Sequence, residues 1–198
     1  MKTILRLFAA TLLSTSAIAA PPTVTPTTGK VGPVLPLHIG GRVARTAEGY
    51  TRQWPGTYFE AAFRGTSALL KIGAGDVILR VSVDGAPVAK LVKPRSGLYR
   101  VAGLTNGRHT IRVDVASESQ AAPTAFGGFY AGAETGTLPA PSRTRQIEFI
   151  GDSHTVGYGN ISTKRDCTQD EVWATTDSSQ AVPEIGRASC RERVLTGV

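Results

Sequence analysis

The sequence predicts a β-sandwich or jelly roll, followed by a separate short strand with a sharp turn after it. Three observations carry this. Between residues 58 and 115, short runs alternate apolar and polar side chains with period two, as half-buried strands do. Asp84-Gly85 and Asn106-Gly107 punctuate those runs as tight hairpin signals. Past residue 136 the pattern changes. Ile147-Glu148-Phe149-Ile150 reads as one short buried strand, and Gly151-Asp152-Ser153 turns directly out of it.

Taken in order, residues 1–19 form an expected signal peptide. Lys2 and Arg6 give a basic start, Leu7 to Leu13 are mostly apolar, and Ala17-Ile18-Ala19 is a small-x-small cleavage site. The mature chain is expected to begin near Ala20 and to be secreted or periplasmic. The apolar run is too short to span a bilayer, and no cysteine follows the cleavage site to carry a lipid, so no membrane anchor is expected. Residues 20–36, rich in Pro, Thr and Gly, read as a flexible N-terminal extension with little core.

Residues 37–136 carry the β pattern. Tyr58 to Phe63 and Ala68 to Ile72 are strand-like, and Val77, Leu79, Val81 and Val83 share one face. His109, Ile111, Val113 and Val115 share a face, with Thr110, Arg112 and Asp114 opposite. Short alternating strands at this spacing, with few helical patterns, favour a sandwich or jelly roll. Trp54 and Tyr58 suit either a sugar-stacking platform or core and rim packing. His109, inside a strand, reads as a hydrogen-bonded structural histidine. Residues 137–146 (TLPAPSRTRQ), with two prolines and two arginines, read as a linker.

Ser153 is the candidate nucleophile. A serine between a strand and a helix start stands clear of the sheet, and its N–H belongs to an unpaired helix terminus. Both features suit an attack that creates an oxyanion. The same Gly151-Asp152-Ser153 could serve only as a helix cap. The longer stretch IEFIGDSHTVGYGN, residues 147–160, resembles the first block of the SGNH (GDSL-type) hydrolases, in the form found in carbohydrate esterase family 2. Trp54 to Glu60, Val83-Asp84-Gly85, Gly107-Arg108-His109-Thr110 and Phe126-Gly127-Gly128-Phe129 precede it in that family's order.

The resemblance runs from about Gly41 to Pro183. It implies a β jelly-roll sandwich followed by an α/β SGNH-hydrolase domain of which residues 147–183 are the truncated start. It also implies a secreted carbohydrate O-acetyl esterase that deacetylates plant polysaccharides such as xylan or mannan. Acetylated poly- or oligosaccharide is the partner so implied, with no cofactor. By the same resemblance Ser153 is nucleophile and first oxyanion donor, while Asp152 and Gly151 build its turn. The family's second-block glycine, third-block asparagine and C-terminal catalytic histidine have no matching positions in this chain. His154 follows Ser153 on a tight turn, so its side chain is expected to diverge from the hydroxyl and not to act as base. Asn160 is expected in a turn or cap role. The alternative reading is a non-catalytic carbohydrate-binding or accessory β-sandwich module.

Glu184 to Val194 reads EIGRASCRERV and resembles the translation of a common short-read sequencing adaptor. Residues 184–198 are therefore expected to be an artefactual tail with no packed place of its own, although Arg, Glu and Ala there favour helix. Setting aside residues 1–19 and 184–198 changes the balance of charge. The whole chain carries +7, but without Lys2, Arg6, Arg187, Arg191, Arg193, Glu184 and Glu192 there remain 17 basic against 13 acidic residues, or +4. With no basic cluster interleaved with aromatics, this is no nucleic-acid groove. Cys190 lies in the tail, which leaves Cys167 as one cysteine of an exported chain, its partner expected in a C-terminal part absent here. Three separated histidines and one cysteine give no metal-ligand spacing.

Overall fold

The computed structural model describes residues 20–73, 75–119, 122–144 and 147–181, and the backbone of 194–197. The expected signal peptide, residues 1–19, lies outside the described residues. Two antiparallel sheets hold the chain from Thr23 to Thr137. In chain order their strands are β1 (Thr23–Thr27), β2 (Leu37–Gly40), β3 (Ala44–Thr46), β4 (Gly49–Arg52), β5 (Tyr58–Gly65) and β6 (Ala68–Ile72). There follow β7 (Ile78–Val83), β8 (Ala86–Val92), β9 (Gly97–Ala102), β10 (Gly107–Val115), β11 (Thr124–Ala131) and β12 (Gly136–Thr137). One sheet runs β1-β9-β6-β11-β4-β3; the other runs β12-β5-β10-β7-β8, with β2 also on β5.

The expected alternation makes the sandwich. Ile111, Val113 and Val115 on β10 join Phe59, Ala61 and Phe63 on β5 and Leu79, Val81 and Val83 on β7. They meet Leu70, Ile72, Tyr99, Val101, Phe126 and Phe129 from the other sheet in one buried core. Phe59 stacks on Phe126 with ring centroids 4.4 Å apart, which ties the two layers together at the centre.

Two turn signals end differently. Asp84 and Gly85, with φ of 53° and 81°, join β7 to β8 as a two-residue hairpin, with Val83 opposite Ala86. Asn106-Gly107 is not a hairpin. The strand before it, β9, lies in one sheet and β10 in the other, so this turn carries the chain across the sandwich.

The expected flexible extension, residues 20–36, is corrected by the structure. Thr23–Thr27 pairs with β9 over its whole length, from Thr23 opposite Ala102 to Thr27 opposite Leu98. Leu35 is fully buried, and its N–H donates to the Phe129 carbonyl at 2.9 Å. A proline suits this strand because β1 is a sheet edge, where a missing N–H costs no ladder bond. The composition that reads as flexible is that of an edge strand.

The chain from Leu138 to Thr144 has no regular structure, in keeping with a connection. The short strand β13 (Ile147–Ile150) stands outside the sandwich, as expected, and pairs in parallel with β14 (Val194–Gly197). The described part of the tail, Val194–Gly197, is thus extended, and the Arg, Glu and Ala that favour helix lie outside the described residues; an unpaired strand edge accepts any extended backbone. After β13 come a run of turns over residues 152–161, helix α1 (Gln169–Ala174) and one 3₁₀ turn at Ser178–Gln180.

Candidate functional site

The turn after β13 is built by its own sequence. Asp152 Oδ1 accepts from the His154 N–H at 2.9 Å, and the Asp152 carbonyl accepts from the N–H groups of Thr155 and Val156 at 3.0 and 3.3 Å. Asp152 therefore caps a tight helical turn whose first residue is Ser153. A Cβ on Gly151 would sit 2.0 Å from Thr155 Oγ1, so only glycine allows the chain to fold this closely. Ser153 is exposed, and its hydroxyl has no hydrogen-bond partner among the described residues. His154 is exposed as well and makes no side-chain bond to Ser153. No long helix follows, because Gly157 and Gly159 take φ of 69° and 64° and break it.

A second segment, Thr175 to Asp177, knits this turn from behind. Asp177 N–H donates to the Gly157 carbonyl at 3.2 Å and to Asn160 Oδ1 at 3.0 Å, and Asn160 Nδ2 returns a bond to the Asp177 carbonyl at 3.0 Å. Ile161 N–H reaches the Thr175 carbonyl at 3.1 Å, and Gly159 N–H reaches Thr176 Oγ1 at 3.0 Å. Asn160 thus takes the turn role expected of it, with a side-chain amide that mimics a backbone pair.

The same segment docks on the sandwich. Asp177 is 1 % exposed and forms an ion pair with Arg80 of β7. Its carboxylate also accepts from Ser179 Oγ at 2.6 Å and Gln180 Nε2 at 2.8 Å. Ser178 Oγ donates to the Val115 carbonyl at 2.9 Å and accepts from the Gly56 N–H at 3.0 Å. Ser178 N–H adds a bond to the Ala116 carbonyl at 2.9 Å. Trp173 Nε1 donates to the Glu118 carbonyl at 3.1 Å, and Lys93 Nζ lies 5.0 Å from the Trp173 ring centre. Sequence reasoning missed these contacts. The one local signal was Asp177 ahead of two serines, the composition of a capped turn.

Of the other candidates, His109 is structural, as expected. It is 6 % exposed, with Nδ1 2.7 Å from Asp84 Oδ2 and Nε2 2.8 Å from the Thr105 carbonyl. Burial opposes its charge, but Asp84 and Thr105 outweigh burial and raise its pKa above the usual imidazole value. Tyr58 is core, not platform: it is 1 % exposed and lies under Arg112, whose guanidinium carbon is 3.8 Å from the ring centre. Trp54 is 42 % exposed at the rim. Arg52, unsuspected from sequence, is buried over Phe59, and burial lowers its pKa to about 10. Cys167 is unpaired among the described residues, and no cluster of His, Cys, Asp and Glu there could hold a metal ion. No described helix is long and apolar enough to cross a membrane.

Known proteins match both halves of this picture. The chain is 43% identical over 180 residues to an acetylxylan esterase / glucomannan deacetylase of Cellvibrio japonicus (strain Ueda107), covering 88% of this chain and 48% of that protein. Among solved structures it is similar to a carbohydrate esterase whose active site displays divergent catalytic and non-catalytic binding functions. That match has 38% identity and a TM-score of 0.72, over 82% of this chain and 49% of that one. It is also similar to a family two carbohydrate esterase from Clostridium thermocellum in complex with cellohexaose. There the identity is 28% and the TM-score 0.72, over 81% of this chain and 50% of that one. The chain thus spans about half the length of these relatives. The carbohydrate esterase 2 N-terminal family profile matches residues 39–141, which are the sandwich from β2 to just beyond β12. By that match over the sandwich and the likeness to the esterase above, this chain belongs to carbohydrate esterase family 2.

Proposed function

We propose that this chain carries the N-terminal half of a secreted serine esterase that removes O-acetyl groups from plant polysaccharides such as xylan or glucomannan. The observation that carries the reading is the exposed Ser153 at the head of a capped turn, directly after β13. In this reading the sandwich is a jelly roll and residues 147–183 open an SGNH domain. Residues 184–198 are the artefactual tail, and the partner of Cys167 lies in the remainder of the enzyme.

Ser153 Oγ attacks the acetyl carbonyl carbon, and its proton passes to a base supplied from outside these residues. The carbonyl oxygen becomes an oxyanion, which the Ser153 N–H helps to hold. The C–O bond to the sugar breaks, and the sugar hydroxyl leaves with the proton. Water then attacks the acetyl-serine ester, which releases acetate and restores the serine. None of the three histidines of this chain suits the base. His38 Nε2 lies 3.3 Å from the Tyr58 hydroxyl, His109 has acceptors on both ring nitrogens, and His154 makes no side-chain hydrogen bond to Ser153.

The test is made on the complete parent enzyme, with the natural sequence restored after Pro183. It should deacetylate an aryl acetate and acetylated xylan or glucomannan, and Ser153→Ala should abolish all of these activities together. Undiminished turnover in the Ser153→Ala enzyme refutes the reading.

A further inference from the structure

The serine turn and the sandwich are joined by several contacts, of which one is made by a buried carboxylate, Asp177. Asp177 faces Arg80 of β7 with its side chain, while its main chain holds Gly157 and Asn160 by three hydrogen bonds. The turn it holds leads straight to the serine, because the Tyr158 N–H donates to the Ser153 carbonyl at 2.9 Å. An L side chain at Gly157 would strike Asn160 Nδ2 at 2.7 Å and the Asp177 carbonyl at 2.8 Å, so the two segments are in close contact. Among the described side chains of residues 149–181 there is little core to fix this geometry: Val156 and Ala181 are the buried apolar ones, and the short helix α1 buries none. The rigid partner is the sheet that carries Arg80.

We propose that Arg80 and Asp177 are positioning residues for Ser153. The Arg80–Asp177 pair fixes the Thr175–Asp177 segment to the second sheet, and that segment fixes the serine turn. The sandwich is then part of the catalytic framework and more than an appended module. An ion pair to a buried carboxylate suits this task better than apolar packing. Arg80 is 26 % exposed but Asp177 only 1 %, so it is the buried Asp177 carboxylate that is costly to leave without its cation, and the docked register is the one that supplies it. The consequence for catalysis rests on the reading of Ser153 as nucleophile; the mechanical coupling does not.

Amide hydrogen exchange on the 198-residue chain tests the coupling. Arg80→Ala and Asp177→Asn should each speed exchange at Tyr158, Gly159 and Ile161 by about tenfold or more, while β10 amides bonded to β5 stay protected. Arg80→Lys, which keeps the charge, should restore most of the protection. If Arg80→Ala opens β10 as well, Asp177→Asn, which leaves the sandwich side chain in place, decides. Unchanged exchange at the three amides in that variant overturns the proposal. In the complete enzyme, Arg80→Ala should lower kcat by about 10–100-fold with KM nearly unchanged, the signature of a displaced nucleophile. Loosened amides with an unaltered kcat also overturn it. A Ser153→Ala enzyme that stays active would instead overturn the nucleophile reading and leave the coupling intact.

Discussion

His109 sits between a carboxylate and a carbonyl, and the two acceptors can both be satisfied only by an imidazolium. Its folded pKa is raised above the ordinary imidazole value of about 6.5. A raised folded pKa stabilises the protein fully below about pH 6.5, and the contribution is lost as pH rises through the folded value. Thermal stability should therefore decline as pH rises above 6.5, and Asp84→Asn should flatten that slope. A melting series across pH 5 to 9 on both proteins checks this; equal slopes would contradict it. A sharper prediction concerns Gly157, whose φ of 69° and crowding by Asn160 and Asp177 leave no room for Cβ. Gly157→Ala should detach the turn, seen as loss of protection at Tyr158, with the sandwich intact. The turn at Ser153 was legible in the sequence because its own residues, Gly151 and Asp152, build it. Arg80 and Asp177 were not, because they are distant in sequence and each reads alone as a solvated charge. Arg52 was missed for the same reason: no local pattern marks an arginine that folding buries.

At the scale of elements, the strands whose two faces were legible are those written in alternation. β7 and β10 are the plainest, with Leu79, Val81, Ile111 and Val113 all buried. β5 does not alternate, since Tyr58, Glu60 and Ala62 on its outer face are buried along with Phe59 and Phe63 on its inner one. Its outer face is covered in part by the later chain, where Arg143 reaches Glu60 at 3.3 Å. β1 was missed because threonine and proline read as flexible unless the neighbouring strand is known. Its role is testable. Deleting residues 20–27 strips the edge of β9 and uncovers Val24's place on the core, and should lower the melting temperature by several degrees. An unchanged melting temperature would show that β1 does not contribute. Phe59→Ala, which empties the centre of the sandwich beside Phe126, should cost about 3–5 kcal/mol in denaturant unfolding.

The whole molecule divides the work between a framework and a chemistry. In the proposed reading the sandwich places the turn, the turn places Ser153, and a base from outside these residues activates it. It follows that the 198-residue chain should release no acetate at a rate attributable to Ser153, since a serine hydroxyl without a base is a weak nucleophile. Losing the base and an oxyanion donor each costs on the order of 10²–10⁴ in rate. The central claim is that Ser153 becomes acetylated in the course of the reaction. The most direct measurement is rapid-quench mass spectrometry of the complete parent enzyme mixed with an aryl acetate. The account predicts a transient acetyl ester on the peptide containing Ser153, absent from the Ser153→Ala enzyme, which should also release no acetate. Steady acetate release with no acetyl group on Ser153, and equal release by the Ser153→Ala enzyme, would contradict it.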